Sequence, residues 1–447
     1  MRKDEKMKKI VNLSLCLAML ISLTGCGKQP VKGKSIEEIT EFPIVYVNTI
    51  NNSAIDKLEK VSKDAEFKIV YTDGTEFSVS VDEDGNYPMT IKGRGNSTWE
   101  LPTTKKPYNI KFEEKVDLFG FGKAKKWSLI ACWLDTSITR SYIGYKLARS
   151  LDEASPDCEM VELVVNGVYE GVYMLCEAYG INDHRVETKG DGIDLDGDGE
   201  VTEFLVEADV RALEHNEPNK FLTPSQNWMV VKEPDEEEIV DPTDERYVYI
   251  SDYINKVDDA IVNGENYEDL IDLDSLASQY VVNEFLKNPD YGYGGQPYYG
   301  STFMYMEEGG KLYFGPFWDC DICLGRNDYS QIELEGYRQT ANPEGYLSGA
   351  SHWIKQLLQD EKFVAKVKEK WALLKPEVEK MINTGMPELV DKLSLIVDYD
   401  LETHYEIYDV RTTSWGGRDP LPFEEECDYV LNFMKKSLQW MDQEFGQ

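Results

Sequence analysis

Two aspartates in the second half of the chain have a spacing that suits metal-dependent phosphoryl transfer. Asp290 follows the helix-like run 274–288 and an Asn-Pro step, and Asp319 follows a strand-like hairpin over residues 301–314. A carboxylate at the end of a helix can act as a base or orient a nucleophile, while one at the end of a hairpin holds a cation on a phosphate. Asp321 lies two positions beyond Asp319, so on an extended backbone both side chains would face the same side.

Each of these positions also has an ordinary structural explanation. Asn-Pro-Asp is a common stop signal for a helix, and Asn288 would then be a cap or turn residue rather than a metal ligand or an orienting group for Asp290. Asp319 and Asp321 would be solvated turn acids, but the aromatic residues that flank them indicate partial burial. A carboxylate held among apolar residues needs a cation to stay ionised, which favours a metal role for this pair.

The first 25 residues have the features of a leader peptide. Five basic and two acidic residues give the first nine positions a net charge of +3, and an uncharged, mostly apolar stretch follows to Gly25. That stretch is too short to span a bilayer comfortably. It is followed by Cys26, and the sequence Leu-Thr-Gly-Cys resembles the bacterial lipobox, which implies cleavage before Cys26 and attachment of a lipid to its sulfur. The alternative is an ordinary secretory signal in which Cys26 is incidental.

The mature chain would therefore be tethered to the extracytoplasmic face of the cell membrane, and it would be strongly acidic. Its net charge falls from −36 for the whole sequence to −39 once the net +3 of the leader is removed. Such a surface repels phosphate backbones and anionic lipid headgroups, so we expect no nucleic-acid partner and a membrane attachment that depends on the lipid. An anionic substrate then needs basic residues or a divalent metal concentrated locally.

The pattern of apolar residues predicts an α+β protein. With 447 residues, 41% of them apolar, the chain can bury a large core. The clearest hairpin joins 161–165 to 168–175 through Asn166-Gly167, and another turns at Asp73-Gly74. The second half is largely helical, and the expected helices are 250–264, 274–288, 352–382, 387–407 and 422–445.

A strand-rich first half followed by a helix-rich second half favours two lobes. We expect a polar tether over 26–42, an N-terminal lobe over 43–240 and a C-terminal helical lobe over 241–447.

Several of these segments together resemble the spore-coat protein kinase (CotH) family. The matching stretches are IKGRGNSTW (91–99), KKPYNIKF (105–112), KKWSLIACWLDTSITRSYIGYKLAR (125–149), VELVVNGVYEGVYMLCE (161–177), IDLDSLASQYVVNEFLKNPD (271–290) and STFMYM…GGKLYFGPFWDCDICLG (301–325). The resemblance implies an atypical protein-kinase-like fold of two lobes, the use of ATP with Mg²⁺ or Mn²⁺, and phosphoryl transfer to a protein hydroxyl.

The resemblance also implies roles for individual residues. The family's catalytic aspartate falls on Asp290, its metal-binding aspartate on Asp319 and the second acid of its WDxD stretch on Asp321. Arg94 matches a basic residue of the nucleotide-side loop. The chain departs from the family pattern in a longer segment over 291–300 and in Cys320, where an apolar residue is usual.

The residues that would hold the phosphates are less well defined by the sequence. Arg94 lies between two glycines, which let the backbone approach a phosphate closely, and its guanidinium can add a bidentate contact. Lys106 and Lys111 are candidates for a strand lysine that holds phosphates, and Glu177 could pair with such a lysine. An ordinary surface salt bridge explains any one of these three residues equally well.

Two further motifs suggest metal binding. Asp194, Asp196, Asp198 and Glu200 resemble the start of a calcium loop, but Leu205 occupies the twelfth position, where the bidentate acid belongs. We therefore expect a structural Ca²⁺ site there or, alternatively, a solvated acidic turn. The Cys-x-x-Cys pair at 320–323 has no partner motif, so two packing residues are favoured over a zinc or redox centre.

Three functions are consistent with these observations. The first is an extracytoplasmic lipoprotein kinase acting on a secreted or cell-surface protein. The second is a catalytically inactive kinase-like module that binds a surface partner, since ATP is scarce outside the membrane. The third is a glycoside hydrolase with paired carboxylates, for which no separate motif exists. The presence of both Asp290 and Asp319 favours catalysis, because a binding module has no need of two aligned acids.

Overall fold

The protein was analysed as a computed structural model. It describes residues 33–56, 58–95, 97–100, 105–181, 185–186, 203–209, 211–234, 242–293, 300–306, 310–326, 352–403 and 421–446. The chain divides into two compact units, Met1–Ile39 and Thr40–Gln447. The described part of the first unit contains one turn of 3-10 helix, Ile36–Glu38.

The first sheet of the second unit contains eight strands, and seven of them close into a barrel. The eight are β1 (Ile44–Thr49), β2 (Lys63–Val70), β3 (Glu76–Val79), β4 (Met89–Gly93), β5 (Tyr108–Asp117), β6 (Lys123–Ile130), β7 (Cys158–Val165) and β8 (Val168–Glu177). The ring runs β1-β7-β8-β6-β5-β4-β2 and returns to β1, with β3 paired to the outside of β2. Only the β1–β7 pair is parallel among these pairings. Closure leaves the seven strands without a free edge in the ring.

Alternation of apolar and polar residues explains why these strands roll around one core. On β5, Tyr108, Ile110 and Phe112 are fully buried, whereas Lys111 between them is exposed. The inward-facing residues of the other strands join them in a single hydrophobic cluster. The predicted hairpin of β7 and β8 is confirmed, and its turn at Asn166-Gly167 has positive φ at both residues, as a tight two-residue turn requires.

A second sheet of five strands takes its members from both sides of residue 240. Its order is β10-β11-β9-β12-β13. The bounds are β9 (Phe204–Ala208), β10 (Lys220–Leu222), β11 (Trp228–Glu233), β12 (Thr302–Met306) and β13 (Leu312–Phe314). β9 and β12 are antiparallel neighbours with Thr302 opposite Ala208. Four strands, β4, β6, β10 and β11, were not predicted from the sequence.

The helices are α1 (Ser97–Glu100), α2 (Arg140–Arg149), α3 (Glu245–Asn263), α4 (Leu273–Leu286), α5 (His352–Leu357), α6 (Glu361–Lys380), α7 (Met386–Thr403) and α8 (Phe423–Phe445). A π-helical turn, Met381–Gly385, joins α6 to α7. The helix predicted over 352–382 is two helices, because Asp360 caps α6 by accepting a hydrogen bond from the backbone N–H of Lys362. The helix predicted over 274–288 ends at Leu286, where Lys287 turns into the left-handed region with φ of 51°.

The mixed α+β class is thus confirmed, and the closed barrel is a feature that the sequence analysis did not predict. The division into an N-terminal lobe over 43–240 and a C-terminal lobe over 241–447 stays a prediction. Within the described residues, no helix combines the length and the apolar character needed to cross a membrane.

Candidate functional site

Asn288 joins the segments that carry the two principal aspartates. Its side-chain oxygen accepts a hydrogen bond from the backbone N–H of Asp290 at 3.2 Å, and its side-chain nitrogen donates to the backbone carbonyl of Asp319 at 3.3 Å. The same nitrogen donates to Asn283 of α4 at 2.9 Å. Asn288 is almost completely buried. Asn288 therefore holds the backbones of Asp290 and Asp319 next to each other.

Asp319 does not lie on a strand, so the expectation that Asp319 and Asp321 face one side of an extended segment was wrong. Asp319 has a positive φ of 50°, and a series of turns follows it from Asp321 to Arg326. A non-glycine residue in the left-handed region is uncommon and needs support from its surroundings. Here the backbone carbonyl of Asp319 is held by Asn288, and its carboxylate accepts a hydrogen bond from the Ser301 hydroxyl at 3.2 Å.

The carboxylate of Asp319 is solvent-exposed but lies close to surrounding protein. Desolvation by that protein raises the pKa of Asp319 above its ordinary value, although Arg94 and the Ser301 hydroxyl both lower it. The side chain of Asp319 is therefore accessible to a ligand.

Asp321 is half-buried, and its surroundings hold an excess of negative charge. Burial raises the pKa of Asp321 well above its ordinary value, and Asp319, Asp290 and Asp135 raise it further, while Arg326 lowers it. The oxygens of Asp290, Asp319 and Asp321 do not all lie within 4.8 Å of one another. The three acids thus share one electrostatic environment without forming a compact set of ligands for a single ion.

Arg94 supplies a positive charge near Asp319. It follows β4, where its backbone N–H donates to the Pro107 carbonyl at 3.1 Å, and its guanidinium lies over the Trp318 ring at 5.4 Å from the ring centroid. Gly93 just before it is required for packing, because a Cβ there would come within 2.2 Å of the Trp99 ring. The structure therefore brings Arg94, Asp319 and Asp290 to one site.

Aromatic rings form the support beneath Arg94 and Asp319. Tyr145 of α2 packs edge-on against Phe317, and Tyr179 packs edge-on against Trp318 with a centroid distance of 5.1 Å. Tyr179 also contacts Phe303 of β12 at 4.4 Å. A narrow crevice opens beside these rings, lined in part by Asn288, Ser301 and Trp318.

The other predicted phosphate-binding residues occupy different surroundings. Lys106 is buried, and its ammonium group donates to the Trp99 carbonyl at 2.5 Å and lies over the Trp99 ring. Lys111 lies on the outer face of the barrel with an exposed side chain. Glu177 forms a buried ion pair with Arg185 at 3.0 Å. Side chains alternate between the two faces of β5. Because Ile110 and Phe112 point into the barrel, Lys111 between them points out to solvent.

A lysine–glutamate pair that the sequence analysis missed lies close to the site. Lys232 of β11 and Glu207 of β9 are 3.0 Å apart, and both are largely buried. Burial lowers the pKa of Lys232, but Glu207 and Tyr179 raise it more, so the net pKa is above the ordinary value. Burial raises the pKa of Glu207 to about 7, against the effect of Lys232. Both residues alter the pKa of Tyr179, as Arg94 does, so the pair faces the same aromatic support.

A buried arginine holds the turn that carries Asp321. Arg140 of α2 pairs with Asp135 and, at 2.7 Å, with Glu426 of α8, and its guanidinium donates to the backbone carbonyls of Cys323 and Leu324. The Asp135 carboxylate also accepts hydrogen bonds from the backbone N–H groups of Thr139 and Arg140 at the start of α2. Three distant parts of the chain therefore meet under the turn.

Cys320 and Cys323 are buried free thiols. Burial raises the pKa of Cys320 well above its ordinary value, which disfavours the thiolate that redox or zinc chemistry needs. Cys320 packs under Gly144, where an added Cβ would lie 2.4 Å from its sulfur. The packing interpretation of this pair is thus supported.

Several predicted residues lie outside the described part of the chain. These are the lipidation candidate Cys26 and the four acids of the calcium loop, Asp194, Asp196, Asp198 and Glu200. Their roles stay predictions.

The fold and site together describe an α+β protein in which acids and an arginine converge beside a closed barrel. The family model described as CotH kinase protein matches residues 91–441, which is most of the chain. The chain belongs to this family, and membership indicates a kinase-like function that in general uses ATP and a divalent metal. Among curated proteins, no match was found.

Proposed function

We propose that this chain is an atypical protein kinase that transfers the γ-phosphate of ATP to a serine or threonine of a secreted or cell-surface protein. The observation that carries the proposal is the bridge through Asn288, which brings Asp290 and Asp319 to one site from separate segments. Membership of the CotH kinase protein family supports it.

Asp290 is the proposed catalytic base. Its side chain is half-buried, and its backbone is fixed by Asn288 on one side and by the N–H of Gly300, which donates to the Asp290 carbonyl at 3.1 Å, on the other. Phosphoryl transfer depends mostly on positioning and charge stabilisation, so a rigid base suits it. In this role Asp290 accepts the proton of the acceptor hydroxyl.

Asp319 and Asp321 are the proposed metal ligands. Carboxylate oxygens are the ligands that Mg²⁺ and Mn²⁺ prefer, and the mutual repulsion that raises the pKa of Asp321 would be relieved by a cation. The residues therefore fit a divalent ion. When bound, such an ion neutralises charge on the phosphates and helps to position them. The Ser301 hydroxyl restrains Asp319, and Asn288 restrains its backbone.

Arg94 and Lys232 are the proposed cations for the phosphates. Arg94 lies over Trp318 beside Asp319, and Glu207 holds the ammonium group of Lys232 near the same rings. Lys232 takes the role that the sequence analysis gave to Lys106 or Lys111, and Glu207 takes that of Glu177. A concentrated positive charge of this kind would let a protein of net charge −36 bind an anionic nucleotide.

The broader context is also part of the proposal. We propose that the barrel and the helical region correspond to the two lobes of a kinase-like fold, that a lipid on Cys26 anchors the protein to the outer face of the cell membrane, and that no nucleic acid binds. The alternative is a kinase-like surface module without catalytic activity.

The test is transfer of label from ATP labelled in the γ-phosphate, to the protein itself or to co-expressed surface proteins. The wild type with Mg²⁺ or Mn²⁺ should become labelled or label a partner. Asp290→Asn should lose labelling while its folding and its stabilisation by ATP and metal persist. Asp319→Asn should lose both. Asp252→Asn, at an exposed position of α3, is the control and should behave as the wild type.

Stabilisation by ligand can be measured by thermal unfolding. A ligand at 100 times its Kd stabilises a protein by about 2.7 kcal/mol. Labelling by Asp290→Asn at the wild-type rate would refute the assignment of the base. Stabilisation by ATP without any labelling would favour the inactive binding module.

A further inference from the structure

A second group of metal-binding side chains lies on the turn that follows β9. Asp209, His215 and Glu217 offer two carboxylates and one imidazole, and their ligand atoms all lie within 4.8 Å of one another. Asp209 is buried, and the other two are half-buried. Among the residues that the structure describes, no other group of three or more His, Cys, Asp or Glu side chains comes close enough together to hold one ion.

The backbone of this turn explains how the three side chains meet. The N–H of Asp209 donates to the Trp228 carbonyl at 3.0 Å, which fixes the start of the turn to β11. The chain then reverses, since the N–H of His215 donates to the Arg211 carbonyl and that of Glu217 donates to the Ala212 carbonyl, both at 2.9 Å. The ligand atoms are therefore carried by a turn with a defined internal structure.

We propose that Asp209, His215 and Glu217 bind one divalent transition-metal ion, of the class of Zn²⁺ or Mn²⁺. An imidazole nitrogen is a poor ligand for Mg²⁺ and Ca²⁺ but suits zinc and its neighbours, and carboxylates accept the same ions. Two ligands of a tetrahedral zinc lie about 3.4 Å apart. Ligand atoms that already lie within 4.8 Å of one another reach that geometry by small side-chain rotations.

The charge of the region supports a dication rather than a monovalent partner. Two basic side chains near the turn are engaged with other acids: Arg211 pairs with Glu214 at 3.0 Å and with Glu100 at 3.4 Å, and Lys232 pairs with Glu207. The ammonium group of Lys220 donates to the backbone carbonyl of Glu217 at 2.6 Å. In the form in which such side chains bind a metal, two carboxylates and a neutral imidazole carry two negative charges. One divalent ion balances them.

The position of the group places this ion beside the candidate active site but apart from it. Ala208 at the end of β9 is paired with Thr302 at the start of β12. Asp209 follows Ala208 in the chain and Ser301 precedes Thr302, so in this antiparallel pair both residues lie at the same end of the ladder. Ser301 donates its hydroxyl to Asp319. Because paired strands lie about 4.8 Å apart, the proposed ion and the ligands at Asp319 flank the same end of this ladder.

The ion would also fix the turn against a neighbouring segment. Arg211 on the turn pairs with Glu100 of α1, which follows Arg94 in the chain. The metal site does not depend on the proposed phosphoryl transfer, since its ligands include neither Asp290 nor Asp319.

The experiment uses the full chain without a histidine tag, stripped of metal with a chelator. Titration with Zn²⁺ or Co²⁺ by calorimetry should show one tightly bound equivalent in the wild type, in addition to weaker binding at Asp319 and Asp321. His215→Gln and, separately, Asp209→Asn should weaken that binding at least 100-fold. Glu214→Gln lies on the same turn, outside the group, and is the matched control that should keep wild-type affinity. Asp319→Asn should keep it as well.

A spectroscopic measurement on the wild type avoids reliance on variants that fail to fold. Cu²⁺ bound at the site should give an electron paramagnetic resonance spectrum with coupling to one imidazole nitrogen. Absence of a stoichiometric ion in the wild type, absence of nitrogen coupling, or unchanged affinity in a folded His215→Gln protein would each overturn the proposal. Because no ATP is present, these results are independent of whether the chain proves to be a kinase.

Discussion

The buried carboxyl of Glu162 should make the stability of this protein fall as the pH rises. Glu162 lies on β7 and is fully buried, and its two oxygens accept hydrogen bonds from the hydroxyls of Thr40 at 2.8 Å and Tyr169 at 2.7 Å. Burial raises the pKa of Glu162 to about 7, although both hydroxyls and Lys105 lower it. The folded protein therefore holds this proton more tightly than the unfolded chain, whose value is near 4.5.

The size of the effect follows from the difference between the two values. A raised folded-state pKa contributes stability that is fully present below pH 4.5 and is lost as the pH rises through 7. At 1.36 kcal/mol for each pKa unit, the loss is about 3 kcal/mol. Glu162→Gln stays neutral throughout, so its free energy of unfolding should rise relative to that of the wild type by about 3 kcal/mol between pH 4.5 and pH 8.

The assay is urea unfolding of both proteins across that pH range, with the difference between them plotted against pH. Taking the difference cancels the titration of other groups that the substitution leaves alone. Tyr169→Phe is the companion variant: because it removes a hydrogen bond that lowers the pKa of Glu162, it should move the transition to higher pH. A difference that stays flat within about 1 kcal/mol from pH 4.5 to pH 8 would refute the reasoning.

Three further substitutions test the packing and orientation of the site. Gly144→Ala should lower stability by about 1–3 kcal/mol, because its Cβ would meet the sulfur of Cys320, and adding Cys320→Ala should restore most of the loss in thermal unfolding. Arg140→Met leaves two buried carboxylates without their cation, so its unfolding free energy in urea should fall by about 3–5 kcal/mol. Asn288→Ala should lower the rate of labelling at least 10-fold in a folded protein, because Asp290 loses its restraint; a wild-type rate would contradict the orienting role.

The sequence predicted the elements whose signals are local. The hairpin at Asn166-Gly167 follows from residue types at fixed positions, and it is confirmed. The prediction of one continuous helix over 352–382 was wrong, because Asp360 caps a second helix there and the apolar residues at helical spacing on both sides of it obscured that cap. Local patterns of this kind depend only on neighbours in the sequence.

Features that depend on distant pairings could not be predicted in the same way. Closure of the barrel requires β1 to pair with β7 and with β2, and nothing in the sequence of β1 specifies two partners. The pair Lys232–Glu207 joins β11 to β9, and the turn at Asp209 brings its ligands together through pairing with β11. Asp290 and Asp319 were selected from their spacing, and the family resemblance supplied the long-range information that spacing alone lacks.

The ion pairs of Arg140 with Asp135 and Glu426 make assembly of the site depend on α8. The carboxylate partners of Arg140 lie nearly three hundred positions apart in the chain, and Gly325 of the same turn packs so closely on α8 that a Cβ there would meet the Phe433 ring at 2.6 Å. A nascent chain that extends beyond Asp321 but not as far as Glu426 contains every proposed reactive group, but it lacks the helix whose Glu426 pairs with Arg140. Assembly of the proposed site would then wait for the first turns of α8, which carry Glu426 and Phe433, so a chain that ends before them would lack this support.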